Sequence, residues 1–318
     1  MFDEKRSETS TSDIRMVPPA PPHAPAPTAA PAPAPAPPRA PAEQHQQTEI
    51  DYAKVNRYWA KATPSVLGPY MMDDFGFPAR AGTFRFDAEA RIVHRLTRDV
   101  PSHGSVLDLG SGIGMWAEDF ARRFSSVTAV ESSHVLFKAL QTRAAPYANL
   151  RPFHGDVMTF EADESYDLIF LGGLLMYLNE RDVIDLLQKL SLRLKPGGII
   201  LCRESTVRGQ ALTLKGDYQV VYRSVSDYRG VFGQCGLNAG HVERNEPYVL
   251  IEMGSELVEK WQRMMPGRFQ ALRAVGRLAY YGLRLGYPWI TRAPKALGLA
   301  YPLLENHFFV LGADTARS

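Results

Sequence analysis

The apolar stretch Ser105–Leu109 (SVLDL) runs without polar alternation straight into Gly110-Ser111-Gly112-Ile113-Gly114. A strand covered on both faces reads this way, and three glycines within the next five residues permit a turn that Cβ atoms would forbid. The same kind of run recurs at 127–131 (VTAVE), Tyr166–Leu171 (YDLIFL) and 198–203 (GIILCR). Helical periodicity fills the intervals, over 116–124, 135–143 and 182–194. Strands alternating with helices predict an α/β, doubly wound, mostly parallel sheet, and such sheets take ligands beyond the carboxyl ends of their strands.

Acids stand at those strand ends. Asp108 precedes the glycine turn, Glu131 closes VTAVE, and Asp156 follows in FHGDV. A dinucleotide fingerprint would need its third glycine at Met115, whereas here the glycines fall at 110, 112 and 114, a spacing that favours another nucleoside ligand. Each acid alone has a plain structural reading: turn donors for Asp108, a solvated strand end for Glu131, an Asx turn for Asp156. Three of them at neighbouring strand ends beside one glycine turn point to a ligand mouth. Carboxylates there repel a phosphate and suit a cationic donor.

The stretch VLDLGSGIG resembles motif I of the class I S-adenosylmethionine-dependent methyltransferases. That resemblance implies a Rossmann-like fold with a seven-stranded sheet and S-adenosyl-L-methionine as cofactor. It implies cofactor contacts from Asp108, Gly110, Ser111, Gly112 and Gly114, ribose contacts at Glu131 with neighbouring Ser132, adenine contacts at Asp156 and Val157, and a place for Gly172 in YDLIFLGG. Leu194-Lys195-Pro196-Gly197-Gly198 reads as a helix end before the fifth strand.

Upstream, Tyr52-Ala53-Lys54-Val55-Asn56-Arg57-Tyr58-Trp59, followed by Pro64-Ser65-Val66-Leu67-Gly68, is similar to the N-terminal helix of the alpha-N-terminal protein methyltransferases. There the segment forms a lid over the active site, which implies substrate contacts from Tyr58 and Trp59. The structural alternative is that Tyr52, Trp59 and Val66 pack on the sheet. The family's active-site His corresponds to Tyr177 here and its Asn to Ser205. The likeness resumes with Cys202-Arg203-Glu204-Ser205 and Tyr222-Arg223, a pattern that also resembles phosphoethanolamine-type N-methyltransferases. Either likeness requires an ammonium to lose its proton before nitrogen attacks the sulfonium methyl. Tyr177, Glu204, Asp217 and Tyr222 are the candidate catalytic residues, and Arg223 is a candidate substrate contact. The expected reaction is N-methylation of a small or lipid-like amine; a protein N-terminus, an oxygen acceptor and a non-catalytic binding module stay open.

The remainder of the chain sets boundaries. Residues 18–41 hold 12 of the 24 prolines in Pro-Ala alternation, so 1–48 is expected to be an extended, solvated tail. The methyltransferase domain is expected over 49–254, a basic helical insertion or cap over 255–304 between two strands read at Pro247 to Glu252 and His307 to Leu311, and the last strand with a C-terminal tail over 305–318. From Lys260 to Leu304 there are eight Lys or Arg and no acid, interleaved with aromatic and aliphatic residues. A packed cap, a peripheral membrane element and a wall for an anionic substrate are the three readings. Positive and negative charges nearly cancel, at 36 and 34, which argues against a nucleic-acid partner. Two cysteines outside any CxxC pair fit a reducing cytoplasm, and eight dispersed histidines suggest no metal site. No apolar stretch suits a signal or a spanning helix.

Overall fold

The computed structural model describes residues 49–61, 75–266 and 273–313. The Pro-Ala tail and the 64–68 part of the upstream motif lie outside the described residues. At the centre is β1 (Ser105–Leu109), buried at all five positions, which explains its unbroken apolar pattern. It pairs in parallel with β2 (Ser126–Glu131) and β4 (Tyr166–Leu171). Beyond β2 lies β3 (Leu150–His154), and beyond β4 lies β5 (Leu194–Val207), both parallel. The chain order therefore reverses between β1 and β4, opening a crevice at their carboxyl ends.

Among the described residues the sheet has nine strands rather than the expected seven. On β5 lies antiparallel β9 (Leu304–Ala313), which pairs in turn with antiparallel β8 (Leu237–Arg244). The two extra strands, β6 (Leu212–Leu214) and β7 (Val220–Ser224), form a short antiparallel ribbon. Their place has a physical reason. β4 ends at Leu171 opposite Cys202, whereas β5 continues to Val207, so an edge is left open that β7 joins at Thr206 and Val207.

Helices cover both faces. On one lie α2 (Arg80–Leu96), α3 (Met115–Ala121) and α4 (His134–Ala144), while α1 (Tyr52–Ala60), first in the chain, sends Tyr52 to the cluster on the other. Trp116, Phe120 and Phe170 form one buried cluster with Val106 and Leu168. α5 (Glu180–Ser191) and α6 (Val225–Gln234) close the opposite face, where Leu186, Leu187, Tyr228, Phe232 and Phe309 pack together. The segment Leu194 to Gly198, expected at a helix end, instead opens β5; a register shift between Tyr166 and Leu168 accommodates Gly197 at φ 78°.

The C-terminal insertion begins earlier than expected. The run Pro247 to Glu252, read as a strand preceding it, forms the first turns of α7 (Glu246–Met264), so a boundary at residue 254 falls inside a helix. Asn245 caps it by accepting a hydrogen bond from Tyr248 N, and Pro247 suits the first turn, where its missing N–H is not needed. A short apolar run buried on every side has no period by which strand and helix can be told apart. α8 (Arg273–Gly286) and α9 (Trp289–Ala296) complete the insertion. Gly276 of α8 allows a close approach: a Cβ there would stand 1.9 Å from the Phe75 carbonyl oxygen.

Candidate functional site

The glycine turn is folded back onto the end of β2. Gly110, Gly112 and Gly114 have φ of 70°, 58° and 80°, left-handed values that disfavour other residues. The N–H groups of Gly110 and Ser111 both donate to the Val130 carbonyl at 3.0 Å, and Ser111 Oγ donates to the Asp108 carbonyl at 2.8 Å. Glu131 completes the link, accepting from Gly112 N at 2.8 Å and Ser133 N at 2.7 Å. Burial pushes the Glu131 carboxyl up, and these N–H donors counter part of the rise.

Two observations make this turn fit for a ligand. A Cβ on Gly110 or Gly114 would meet Leu174 or Leu140, but one on Gly112 would meet nothing within 4 Å among the described residues, so the turn is open there. Asp108 is buried, its Oδ2 lacking a hydrogen-bond partner among the described residues, and burial raises its carboxyl to about 7. Both features suit a cationic amino-acid end of a nucleoside donor. Gly155 N donates to the Glu131 carbonyl at 3.1 Å, which sets the turn after β3 beside the end of β2. Asp156 is exposed there, and its Oδ1 accepts from Met158 N at 2.8 Å, the Asx turn named as its structural reading. Val157 is half-buried; Ser132 is exposed, its carbonyl 3.0 Å from His154 Nε2. Gly172 stands just past β4, where a Cβ would meet the Phe170 ring at 2.8 Å.

Next to this turn, a clamp shapes the main chain after β4. Glu204 is fully buried on β5, and its Oε1 accepts from Leu174 N and Leu175 N at 3.0 Å each. Its Oε2 has no hydrogen-bond partner among the described residues, and burial lifts the carboxyl to about 7 despite the N–H donors. From the other side, Arg223 donates to the carbonyls of Leu175 (3.0 Å) and Leu178 (2.8 Å). Arg223 was expected at the substrate. Its guanidinium instead fixes this turn, because the carbonyls of a single 3-10 turn need donors that β7 can supply.

Above the turn lies an aromatic group. The Trp59 ring meets Tyr177 edge-on at 5.3 Å, Tyr58 meets Tyr218 at 4.9 Å, and the hydroxyls of Tyr177 and Tyr218 are 2.8 Å apart. Tyr222 is buried beside Tyr218 and shares in its hydrogen bonding. Burial pushes all three tyrosine hydroxyls up, so they stay neutral. Asp217 is not part of this group; it is exposed in the loop between β6 and β7. Its neighbour Tyr218 takes the position, and sequence reasoning missed it because no motif marks that loop.

α1 is held over these rings by specific bonds. Asp51 caps the helix, its own N–H donating to Gln219 Oε1 at 2.6 Å. Tyr52 Oη donates to Asp182 and accepts from Asn179 N. At the other end, Ser133 Oγ donates to the Trp59 carbonyl at 2.9 Å, connecting the helix to the residue that also binds Glu131.

Behind β5 sits a polar cluster with no sequence motif. Glu89 of α2 is fully buried and accepts from Arg203 Nε at 2.8 Å, Arg85 Nε at 2.9 Å and Asn245 Nδ2 at 2.8 Å. Burial alone would raise its pKa, but the two guanidinium groups hold it down to about 2. Arg85 and Glu89, four residues apart, resemble an ordinary solvent-facing helix pair in sequence.

Residues 106–198 match the family model described as a methyltransferase domain. Phosphoethanolamine N-methyltransferase 1 of Triticum aestivum is 32% identical over 193 residues, covering 59% of this chain and 37% of that protein. N-terminal Xaa-Pro-Lys N-methyltransferase 1 of Xenopus tropicalis is 24% identical over 207 residues, or 62% of this chain and 89% of that one. A SAM-dependent methyltransferase from Leishmania major superposes with a TM-score of 0.55 at 16% identity, covering 82% of each chain. The match spans only 27% to 37% of the length of the phosphoethanolamine N-methyltransferases found. The region 106–198 thus resembles a methyltransferase domain, and the fold is that of the S-adenosylmethionine-dependent methyltransferases.

Proposed function

We propose that the chain is an S-adenosylmethionine-dependent methyltransferase that methylates the nitrogen of a small or lipid-like amine. The observation carrying this reading is the group of Tyr58, Trp59, Tyr177 and Tyr218 beside the glycine turn, since π-faces and neutral hydroxyls favour an ammonium or amine over an anion. In this reading Gly112 and Asp108 receive the amino-acid end of the cofactor, Glu131 with Ser132 the ribose, and Asp156 with Val157 the base. The cofactor supplies an activated methyl on a sulfonium sulfur.

The chain's own residues supply position. Tyr177 and Tyr218 accept hydrogen bonds from the amine and aim its lone pair; being neutral, they do not act as tyrosinates. Glu204 fixes the Leu174–Leu175 main chain on which Tyr177 depends, and its charge state changes near neutrality. α1 excludes water from above. Nitrogen gains the methyl and loses one proton to solvent, leaving the demethylated cofactor.

A second reading, methylation of a protein N-terminus, draws support from the α1 motif and from the relative of Xenopus tropicalis. Calorimetry with S-adenosylmethionine, then transfer of radiolabelled methyl to phosphoethanolamine, lipid amines and peptides with free N-termini, tests both. Label in a small or lipid amine supports the proposal. Label in peptide alone selects the second reading, and binding without transfer to any acceptor selects a non-catalytic module.

A further inference from the structure

The last two helices of the insertion, α8 and α9, have a surface of distinctive composition. In α8, Gly276, Tyr280 and Leu283 are buried, a stripe at helical spacing that meets the Phe77, Val249 and Met253 cluster. Ala274, Leu278, Tyr281 and Leu285 recur at the same spacing on the opposite side, and all four are exposed. The helix is therefore apolar on two faces, only one of which is covered by the described residues. Leu285 is 90% exposed, Leu278 74%, and in the following segment Trp289 76% and Leu297 73%, so four large apolar side chains stand out from one short stretch of chain.

Charge identifies the occupant. Arg273, Arg277, Arg292 and Lys295 are exposed among these side chains, and no acid occurs between Lys260 and Leu304. A partner must therefore offer dense negative charge and, directly behind it, an apolar layer able to accept leucine and tryptophan. Nucleic acid offers only the first. A bilayer rich in anionic lipid offers both, with Trp289 suited to the interface between them. Among the described residues no helix is long and apolar enough to cross a membrane, so contact takes place at the surface.

We infer that α8 and α9 form a docking surface for an anionic lipid membrane, with Leu278, Leu285 and Trp289 entering the interface and Arg277, Arg292 and Lys295 meeting headgroups. The inference does not depend on the methylation reading.

The test is flotation of the full chain with vesicles of phosphatidylcholine alone and of phosphatidylcholine mixed with phosphatidylglycerol. The expected result is binding to the mixed vesicles only, weakened by salt. Leu285→Gln with Trp289→Gln should lower it at least about tenfold, since each side chain loses its burial in lipid. Arg277→Gln with Arg292→Gln should lower it several-fold while leaving cofactor affinity unchanged. Absence of vesicle binding, equal binding to both vesicle types, or full binding by the Leu285–Trp289 variant would overturn the inference. So would concentration-dependent self-association abolished by that same variant, which would assign the face to a second copy of the chain.

Discussion

The hydroxyls of Tyr177 and Tyr218 lie 2.8 Å apart, joining the turn after β4 to the loop before β7. Two segments distant in sequence thus share one polar contact above the crevice. Removing one hydroxyl tests whether that contact aims a substrate. Tyr218→Phe is expected to lower kcat roughly 3- to 10-fold, the size of one neutral hydrogen bond, with cofactor affinity unchanged by calorimetry. Lost cofactor binding would show that the pair supports the fold instead.

Glu131 holds the glycine turn through Gly112 N and Ser133 N. Glu131→Gln keeps the shape but removes the charge that suits a diol donor. Affinity for S-adenosylhomocysteine, measured by calorimetry, is expected to fall roughly 10- to 100-fold. Gly112→Ala should weaken binding as well, by placing a methyl in the open space at the turn and straining a left-handed backbone. Wild-type affinity in both variants would remove the cofactor assignment.

Stability should respond to pH on two sides. Glu204 and Asp108 both have carboxyls raised to about 7 by burial. Raised acids contribute stability in full below their unfolded values and lose it as pH climbs through the folded value. Ligand-free stability is therefore expected to fall between about pH 4 and pH 7, by on the order of 3–4 kcal/mol per group, and Glu204→Gln should flatten part of that slope. Glu89 behaves oppositely: held down to about 2, it contributes above its unfolded value and is lost as pH falls toward 2. Thermal melts across the range read both limbs.

The anchoring of α1 predicts its dynamics. Tyr52→Phe deletes the bonds to Asp182 and Asn179 N, costing about 1–2 kcal/mol at that contact. Hydrogen exchange is expected to quicken across residues 50–60 and not in β1 or β4. KM for the amine should rise more than kcat falls. Uniformly faster exchange would mean that Tyr52 supports the whole domain.

The strands β1 and β4 were legible because a parallel strand covered on both faces leaves an uninterrupted apolar run, and Glu131 was legible because it ends such a run. The Pro247 to Glu252 segment misled for the same reason, since full burial erases the period that distinguishes helix from strand. Arg223 was legible as a residue of interest but not in its role, because nothing local says whether a guanidinium will find a ligand or a main-chain carbonyl. Tyr218 and Glu89 left no trace at all. One depends on an edge that β5 leaves open, the other on Arg203 arriving from 114 positions away.

Asn245 N donates to the Asn306 carbonyl at 2.8 Å, so the chain leaves β8 and re-enters β9 one hydrogen bond apart. In wiring, the three-helix insertion occupies the place of a hairpin turn. Such a connection can lengthen, shorten or change its surface chemistry without disturbing the register of the pair it joins, so where this protein is stationed can evolve separately from what its crevice does.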